Sequence, residues 1–151
     1  MKLEYTFYIG ASPEQVWDVL IDSQKSFHAF MGGVIRSSMQ VGDPIEFVGP
    51  GADGEQTVHI YGRLLAFEKH KLLSYTDHPG PTHHDRHTEL ESTVTIRLDK
   101  VGGCTRFHLV NDQWTDNNPQ FEKADPLWWM ILSNIKTIAE TGKPLDFGYG
   151  V

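Results

Sequence analysis

Four histidines and one aspartate lie in the segment 78–87, which reads His-Pro-Gly-Pro-Thr-His-His-Asp-Arg-His. Imidazole and carboxylate groups are competent ligands for a borderline metal such as zinc. If the segment is extended, His83, Asp85 and His87 point the same way, because side chains alternate along a strand. The spacing matches no established zinc signature, however, and the prolines favour a loop. We therefore assign no metal site to the residues with ligand chemistry: His78, His83, His84, Asp85 and His87.

That segment has two remaining interpretations. The first is a solvated, polar loop over residues 79–86, which is the ordinary setting for such a composition. The second is a pH-sensitive lid, because histidine side chains change charge near neutral pH.

Three polar residues at alternate positions form a second group with chemical potential. His59, Tyr61 and Arg63 share one face of a predicted strand. If that face looks into a cavity, Arg63 can receive a carboxylate and His59 can act as an acid or base. The alternate positions are more apolar, so the sequence favours an outward direction for all three, and for His108 by the same argument. We assign no catalytic residue.

Aromatic and sulfur-containing side chains form the third group. Ligand cavities are lined mostly by apolar groups, so these residues are candidates for contact with an apolar ligand. Packing in the core is the alternative for each of them, and for any single one it is the more frequent role. The candidate ligand-binding residues are Trp17, Phe27, Phe30, Met31, Tyr75, Trp114 and Trp128. Trp129 diverges from Trp128 by about a hundred degrees on a helix, which predicts a place at a flank, a cavity rim or a homodimer contact.

Composition and missing motifs exclude several classes of function. The net charge of −7 argues against nucleic acid and anionic membranes as partners. No glycine-rich phosphate loop and no Gly-x-Ser-x-Gly elbow is present, so we expect no cofactor. Cys104 is the single cysteine, which excludes an intrachain disulfide and predicts a reducing, cytoplasmic location. No apolar run reaches the ~20 residues of a membrane span.

The elements that must position these residues begin and end at clear signals. Ser12, Pro13 and Gln15 predict a capped helix over residues 13–21. A short helix or irregular turn follows over residues 22–31. Asp125 and Pro126 predict the start of a long final helix, which Gly142 ends. Its apolar stripe consists of Trp128, Ile131, Leu132, Ile135 and Ile138.

Alternating segments fill the rest of the 151 residues, which we expect to form one domain. The predicted strands cover residues 2–9, 34–38, 43–48, 57–67, 71–77, 89–98 and 105–111. Their hairpin spacing favours an antiparallel sheet, and runs of strands with a closing helix favour the α+β class. Such a sheet can curl around the last helix and leave a cavity between them.

The residues also resemble a known superfamily. A first strand leading into Ala-Ser-Pro-Glu-Gln-Val-Trp (11–17), the Phe-x-x-Phe-Met-Gly-Gly turn (27–33) and a late helix ending in Glu-Thr-Gly (140–142) resemble the SRPBCC, or START-like, superfamily. Within it the chain is similar to the branch related to the activator of the heat-shock-protein-ninety ATPase. The resemblance implies a helix-grip fold: a curved antiparallel sheet of six or seven strands around a long C-terminal helix, with two short helices after the first strand.

The resemblance also implies a choice of functions. Relatives bind lipids, polyketides and other apolar small molecules, so the first expectation is binding of a hydrophobic or aromatic ligand between the sheet and the helix. The second is an enzyme of the polyketide cyclase or hydrolase type that uses a cavity histidine or tyrosine. The third is a module that interacts with a chaperone or another protein. This chain shows no second domain of the kind with which the chaperone activator docks its chaperone, which places that role last.

Overall fold

A computed structural model describes residues 1–148, which form seven strands and three α-helices in the predicted order: one strand, two helices, six strands and a final helix. The strands are β1 (Leu3–Ile9), β2 (Val34–Ser37), β3 (Pro44–Pro50), β4 (Gln56–Glu68), β5 (Leu72–Pro79), β6 (Ser92–Val101) and β7 (Cys104–Asp112). The helices are α1 (Pro13–Ile21), α2 (Ser23–Ala29) and α3 (Gln120–Thr141).

All seven strands join one antiparallel sheet in the order β1-β7-β6-β5-β4-β3-β2. The alternation predicted from the sequence is visible in β6, where Val94, Ile96 and Leu98 are buried and the residues between them are more exposed. From β2 to β7, each strand pairs with the next one along the chain, and β1 pairs with β7 at the edge of the sheet. The sheet of six or seven strands expected from the resemblance therefore has seven.

Two irregularities bend the sheet where it faces the cavity described below. The pairing of β3 with β4 shifts register between Phe47 and Val48, and that of β4 with β5 shifts between Leu64 and Ala66. Such bulges kink a strand and increase its twist. Gly62 lies between them, and a side chain there would meet the carbonyl oxygen of Thr76 at 1.8 Å, so only glycine fits this bend.

Helix α3 lies against the concave face of the sheet and closes the core. Trp128, Ile131, Leu132, Ile135 and Ile138 are buried in one cluster with the inward residues of the strands, as the helical stripe predicts. Gly142 ends the helix with φ of 80°, the left-handed conformation predicted for it.

The predicted start of α3 is wrong. The helix begins at Gln120, whose backbone N–H donates to Oδ1 of Asn118 at 2.9 Å, and Pro126 lies inside it. Proline costs the helix one hydrogen bond but does not end it here. Asp125 does not cap the helix; its carboxylate accepts a 2.6 Å hydrogen bond from the hydroxyl of Tyr5 on β1.

The two short helices connect β1 to β2. In α1 the predicted capping box is present: Gln15 N–H donates to Oγ of Ser12, and the Gln15 side chain accepts from the Ser12 N–H. Asp22 caps α2 by accepting from Gln24 and Lys25. Within residues 1–148, no helix is long and apolar enough to cross a membrane.

Candidate functional site: a cavity between the sheet and the last helix

A cavity of about 380 Å³ lies between α3 and the concave face of the sheet. Its walls come from β3 to β7, from the turn after α2, from the segment between β7 and α3 and from the first half of α3. The apolar lining combines aromatic and aliphatic side chains, among them Phe30, Phe47, Tyr75, Trp114, Trp128 and Ile131.

A hydrogen-bonded group around Asn111 forms part of the cavity wall. The Asn111 side-chain amide donates to Oγ of Ser92 at 2.9 Å, and its Oδ1 accepts from the Trp128 indole at 3.0 Å. The Trp114 indole donates to the backbone carbonyl of Asn111 at 2.9 Å. Because Asn111 is 2% exposed, these bonds satisfy polar groups that could not reach bulk water and fix both indole rings.

Two ionisable side chains, Tyr75 and Asp77, line the cavity. They lie two residues apart on β5, so both face the concave side, and both line the cavity. Burial raises the pKa of the Asp77 carboxyl from its usual 3.8 to about 7, and the nearby His78 opposes this rise. Burial, and then the charge of Asp77, raises the pKa of the Tyr75 hydroxyl well above its ordinary value of 10. Near neutral pH, Asp77 can therefore either hold or release a proton.

The edge of the cavity is formed by a pair of histidines. His59 on β4 lines the cavity, and its Nδ1 is hydrogen-bonded to Nε2 of His83 at 2.8 Å. The other ring nitrogen of His59 lies 3.1 Å from the carbonyl oxygen of Pro50. The outward direction predicted for His59 is thus wrong, because the bulge at Phe47 and Val48 disturbs the alternation of β3 and β4 at this point. Arg63, beyond the bulge, is exposed as predicted.

His78 and His87 lie on the convex side of the sheet, beside Tyr61. The ring of His78 stacks on that of Tyr61 and pairs with Glu91 at 3.0 Å, and Nδ1 of His87 is 2.6 Å from the Tyr61 hydroxyl. After β5 ends at Pro79, residues 81–86 form turns and a short 3-10 helix begins at His87, so His83, Asp85 and His87 are not in an extended strand and do not share one face. Among residues 1–148, no three His, Cys, Asp or Glu side chains are arranged to hold a metal ion. His108 faces outward, as predicted, and pairs with Glu4.

Five of the seven candidate ligand-binding residues come together in the cavity lining: Phe30, Met31, Tyr75, Trp114 and Trp128. The other two lie elsewhere. Trp17 packs edge-on against Phe67, seven residues beyond Ile60 along β4, and Phe27 packs against His28. The sequence shows that Trp17 and Phe27 are apolar, but it does not show at which end of the core each one lies.

Several lining residues were not among the candidates. Asp77 shares a face with Tyr75, and Asn111 shares one with Leu109, so strand parity could have identified both. Phe47, Ile60 and Ile131 also line the cavity, and their patterns are those of ordinary core residues. Trp129 is half-exposed beside the site, as predicted, and its ring packs edge-on against Tyr5.

A family model described as "Activator of Hsp90 ATPase homolog 1-like protein" (AHSA1) matches residues 10–140. The chain belongs to this family. A comparison with curated proteins finds no significant match.

Solved structures similar to this AHSA1-family chain share its fold. A protein from Mesorhizobium loti has a TM-score of 0.71 and 20% identity, over 91% of this chain and 96% of that one. The Aha1 dimer from Colwellia psychrerythraea has a TM-score of 0.69 and 17% identity, over 95% and 98%. An HSP90 activator from Plasmodium falciparum has a TM-score of 0.67 and 17% identity, over 91% and 95%. The helix-grip fold expected from the sequence is thereby confirmed.

Proposed function

We propose that this protein binds a hydrophobic or aromatic small molecule in the cavity between the sheet and α3, as a single domain working in the cytoplasm. The observation that carries the proposal is the cavity itself. Its volume of about 380 Å³ lies at the lower end of the range of about 300–1,000 Å³ of small-molecule sites. A few placed polar groups in an apolar lining are also typical of such sites.

The energetics favour a ligand of modest size. Apolar area removed from water contributes roughly 25 cal/mol per Å², so burial of an aromatic bicycle would supply most of the binding free energy. The cavity wall is preorganised, since Asn111 already holds the indoles of Trp114 and Trp128. Entry of a ligand would need movement of the turn after α2 or of the loop 80–86. The turn lines the cavity through Met31, and the loop lies at the cavity edge, where His83 is hydrogen-bonded to His59.

Native mass spectrometry of the untagged protein, beside a denatured control, tests for a retained ligand. A mass excess that disappears on denaturation supports the proposal and identifies the ligand class. Titration with the uncharged dye Nile red tests an empty cavity. Ala124→Phe places a ring in the lining and should abolish the fluorescence gain, whereas Ser133→Phe, exposed on the same helix, should not. Equal dye binding by both variants would contradict the proposal.

An enzyme of the cyclase or hydrolase type is the second candidate. Tyr75 and Asp77 favour it, because a carboxyl with a pKa of about 7 can act as a general acid or base near neutral pH. The sequence pointed to a histidine or tyrosine for this role, and the cavity adds the aspartate. Conversion of a retained ligand during incubation, absent in Asp77→Asn, would favour this candidate.

A protein-interaction module is the third candidate. Leu127 and Trp129 are 47% and 53% exposed on α3, and large exposed apolar side chains are frequent at interfaces. The similar Aha1 from Colwellia psychrerythraea is a dimer, so a second copy of this chain is the occupant we propose to test. The same native mass spectra give the answer: a dimer that Trp129→Lys converts to monomer supports it, and a monomer in the wild type contradicts it.

A further inference from the structure

Within residues 1–148, the carboxyl of Asp77 accepts no hydrogen bond, and burial is the main influence on its pKa. Ser92, its cross-strand neighbour on β6, accepts a hydrogen bond from Asn111. Asp77 is partly buried in the cavity wall, and a carboxylate that loses water there without gaining a donor favours a ligand that supplies one.

The basic and titratable groups around Asp77 do not neutralise it. His78 is its sequence neighbour on β5, but its ring lies on the convex side between Tyr61 and Glu91. His59 on β4 is bonded to His83 and to the Pro50 carbonyl. Lys123 on α3 lines the cavity but is solvent-exposed, and no ion pair joins it to Asp77 within residues 1–148. When Asp77 is ionised, the cavity wall therefore has a negative group without a paired cation, in a chain of net charge −7.

Aromatic rings line the same cavity as this carboxyl. Tyr75, Phe47 and Trp128 line the same cavity, and the rings of Phe47 and Tyr75 lie 5.4 Å apart. The π-face of an aromatic ring attracts an organic cation, and desolvation strengthens the attraction. A carboxylate beside aromatic rings is thus suited to an ammonium group on an apolar body.

We propose that the ligand is a hydrophobic amine that is protonated at neutral pH. Its ammonium group would donate to Asp77, and its apolar body would lie among Phe47, Trp114 and Trp128. This inference rests on the proposed small-molecule function and specifies the chemical class of the ligand. It also assigns Asp77 as the residue that selects this class over neutral and anionic ligands of the same shape.

Three probes with one ring system separate charge from shape: naphthylethylamine, naphthylethanol and naphthylacetate. Isothermal titration calorimetry at pH 7.5 should give an affinity for the amine about tenfold or more above that for the alcohol, as expected for a charge-assisted hydrogen bond. The acetate should bind most weakly. Asp77→Asn should bring the ratio of amine to alcohol affinity close to one. Asp112→Asn, the matched change at an outward position of β7, should leave the ratio unchanged.

Two results would overturn the inference: equal affinities for amine and alcohol in the wild type, or a preference for the amine that survives Asp77→Asn. The wild-type comparison needs no variant and holds even if a variant folds poorly. If none of the three probes binds but Nile red does, the amine is rejected as the ligand class and the small-molecule function stands. If Nile red does not bind either, both the ligand class and the small-molecule function are rejected.

Discussion

The indole Nε1 of Trp128 donates a hydrogen bond to Oδ1 of Asn111 at 3.0 Å and thereby joins α3 to β7 beside the cavity. Trp128 is 8% exposed, and the same Asn111 side chain also donates to Ser92. The contact links the packing of the last helix to the shape of the cavity wall. A residue expected to contact a ligand is therefore also a structural one.

Trp128→Phe should lower the free energy of unfolding by about 1–3 kcal/mol or more, because Asn111 loses its donor and the smaller ring leaves space. Urea denaturation measures the difference. Trp129→Phe, one position later and half-exposed, is the matched control and should change stability by less than about 0.5 kcal/mol. Equal effects of the two substitutions would contradict the buried hydrogen bond.

Asp77 should make stability depend on pH. Its pKa is about 7 in the folded protein and 3.8 ordinarily, so between these values the folded state retains a proton that the unfolded state has lost. Stability therefore falls as pH rises from about 4 to 7. Asp77→Asn should be more stable than wild type at pH 8, by at most about 4 kcal/mol, and nearly equal to it below pH 4. Denaturation at both pH values tests this, and a difference independent of pH would contradict it.

The sequence predicted well what is encoded locally and less well what depends on distant contacts. The Ser12–Gln15 box and the left-handed Gly142 are local, and both are confirmed. At the start of α3, Asn118 accepts from the Gln120 backbone, and Asp125 is bonded to Tyr5, which is 120 residues away in sequence. Neither contact is visible in the local pattern, so the position of Pro126 alone gives the wrong first helical residue.

The same distinction explains the candidate site. Residue type identified the aromatic lining, but the cavity lies at one end of β4, whereas Trp17 packs near the other end. The β3–β4 bulge brings His59 to the cavity, and no residue pattern in the sequence marks that bulge. Asp77 could be placed on the same strand face as Tyr75 from the sequence. That its carboxyl accepts no hydrogen bond within residues 1–148 depends on how the strands and α3 assemble around it.

Gly142 should be needed for its backbone conformation. Its φ of 80° strains any residue with a side chain, so Gly142→Ala should cost about 1 kcal/mol of stability. Gly103→Ala is the control, because that position has open space for a side chain and no positive φ. Thermal unfolding should show a lower Tm for the first variant and little change for the second. A similar loss in both would mean that the strain at Gly142 is not the cause.

His83 should control exchange at the cavity edge. His83→Ala removes the hydrogen bond to His59, a side-chain contact between loop 80–86 and β4. Nile red should then dissociate faster, by about fivefold for the loss of one hydrogen bond of ordinary strength. Stopped-flow fluorescence measures the rate. His84→Ala is the control, since that ring bonds to the backbone of Arg86 within the loop and not to β4. Unchanged dissociation in His83→Ala would show that ligands enter elsewhere.

Tyr5 and Asp125 should depend on each other for their stabilising effect. The Tyr5 hydroxyl donates to the Asp125 carboxylate at 2.6 Å, and burial, followed by this bond, raises the pKa of Tyr5 above its usual value of 10. Tyr5→Phe and Asp125→Ala should each cost about 1 kcal/mol, and the double variant should cost little more than either. Urea denaturation of the four proteins gives the coupling energy. If Asp125 instead capped a helix beginning at Pro126, the two losses would add, and Asp125→Ser would restore stability.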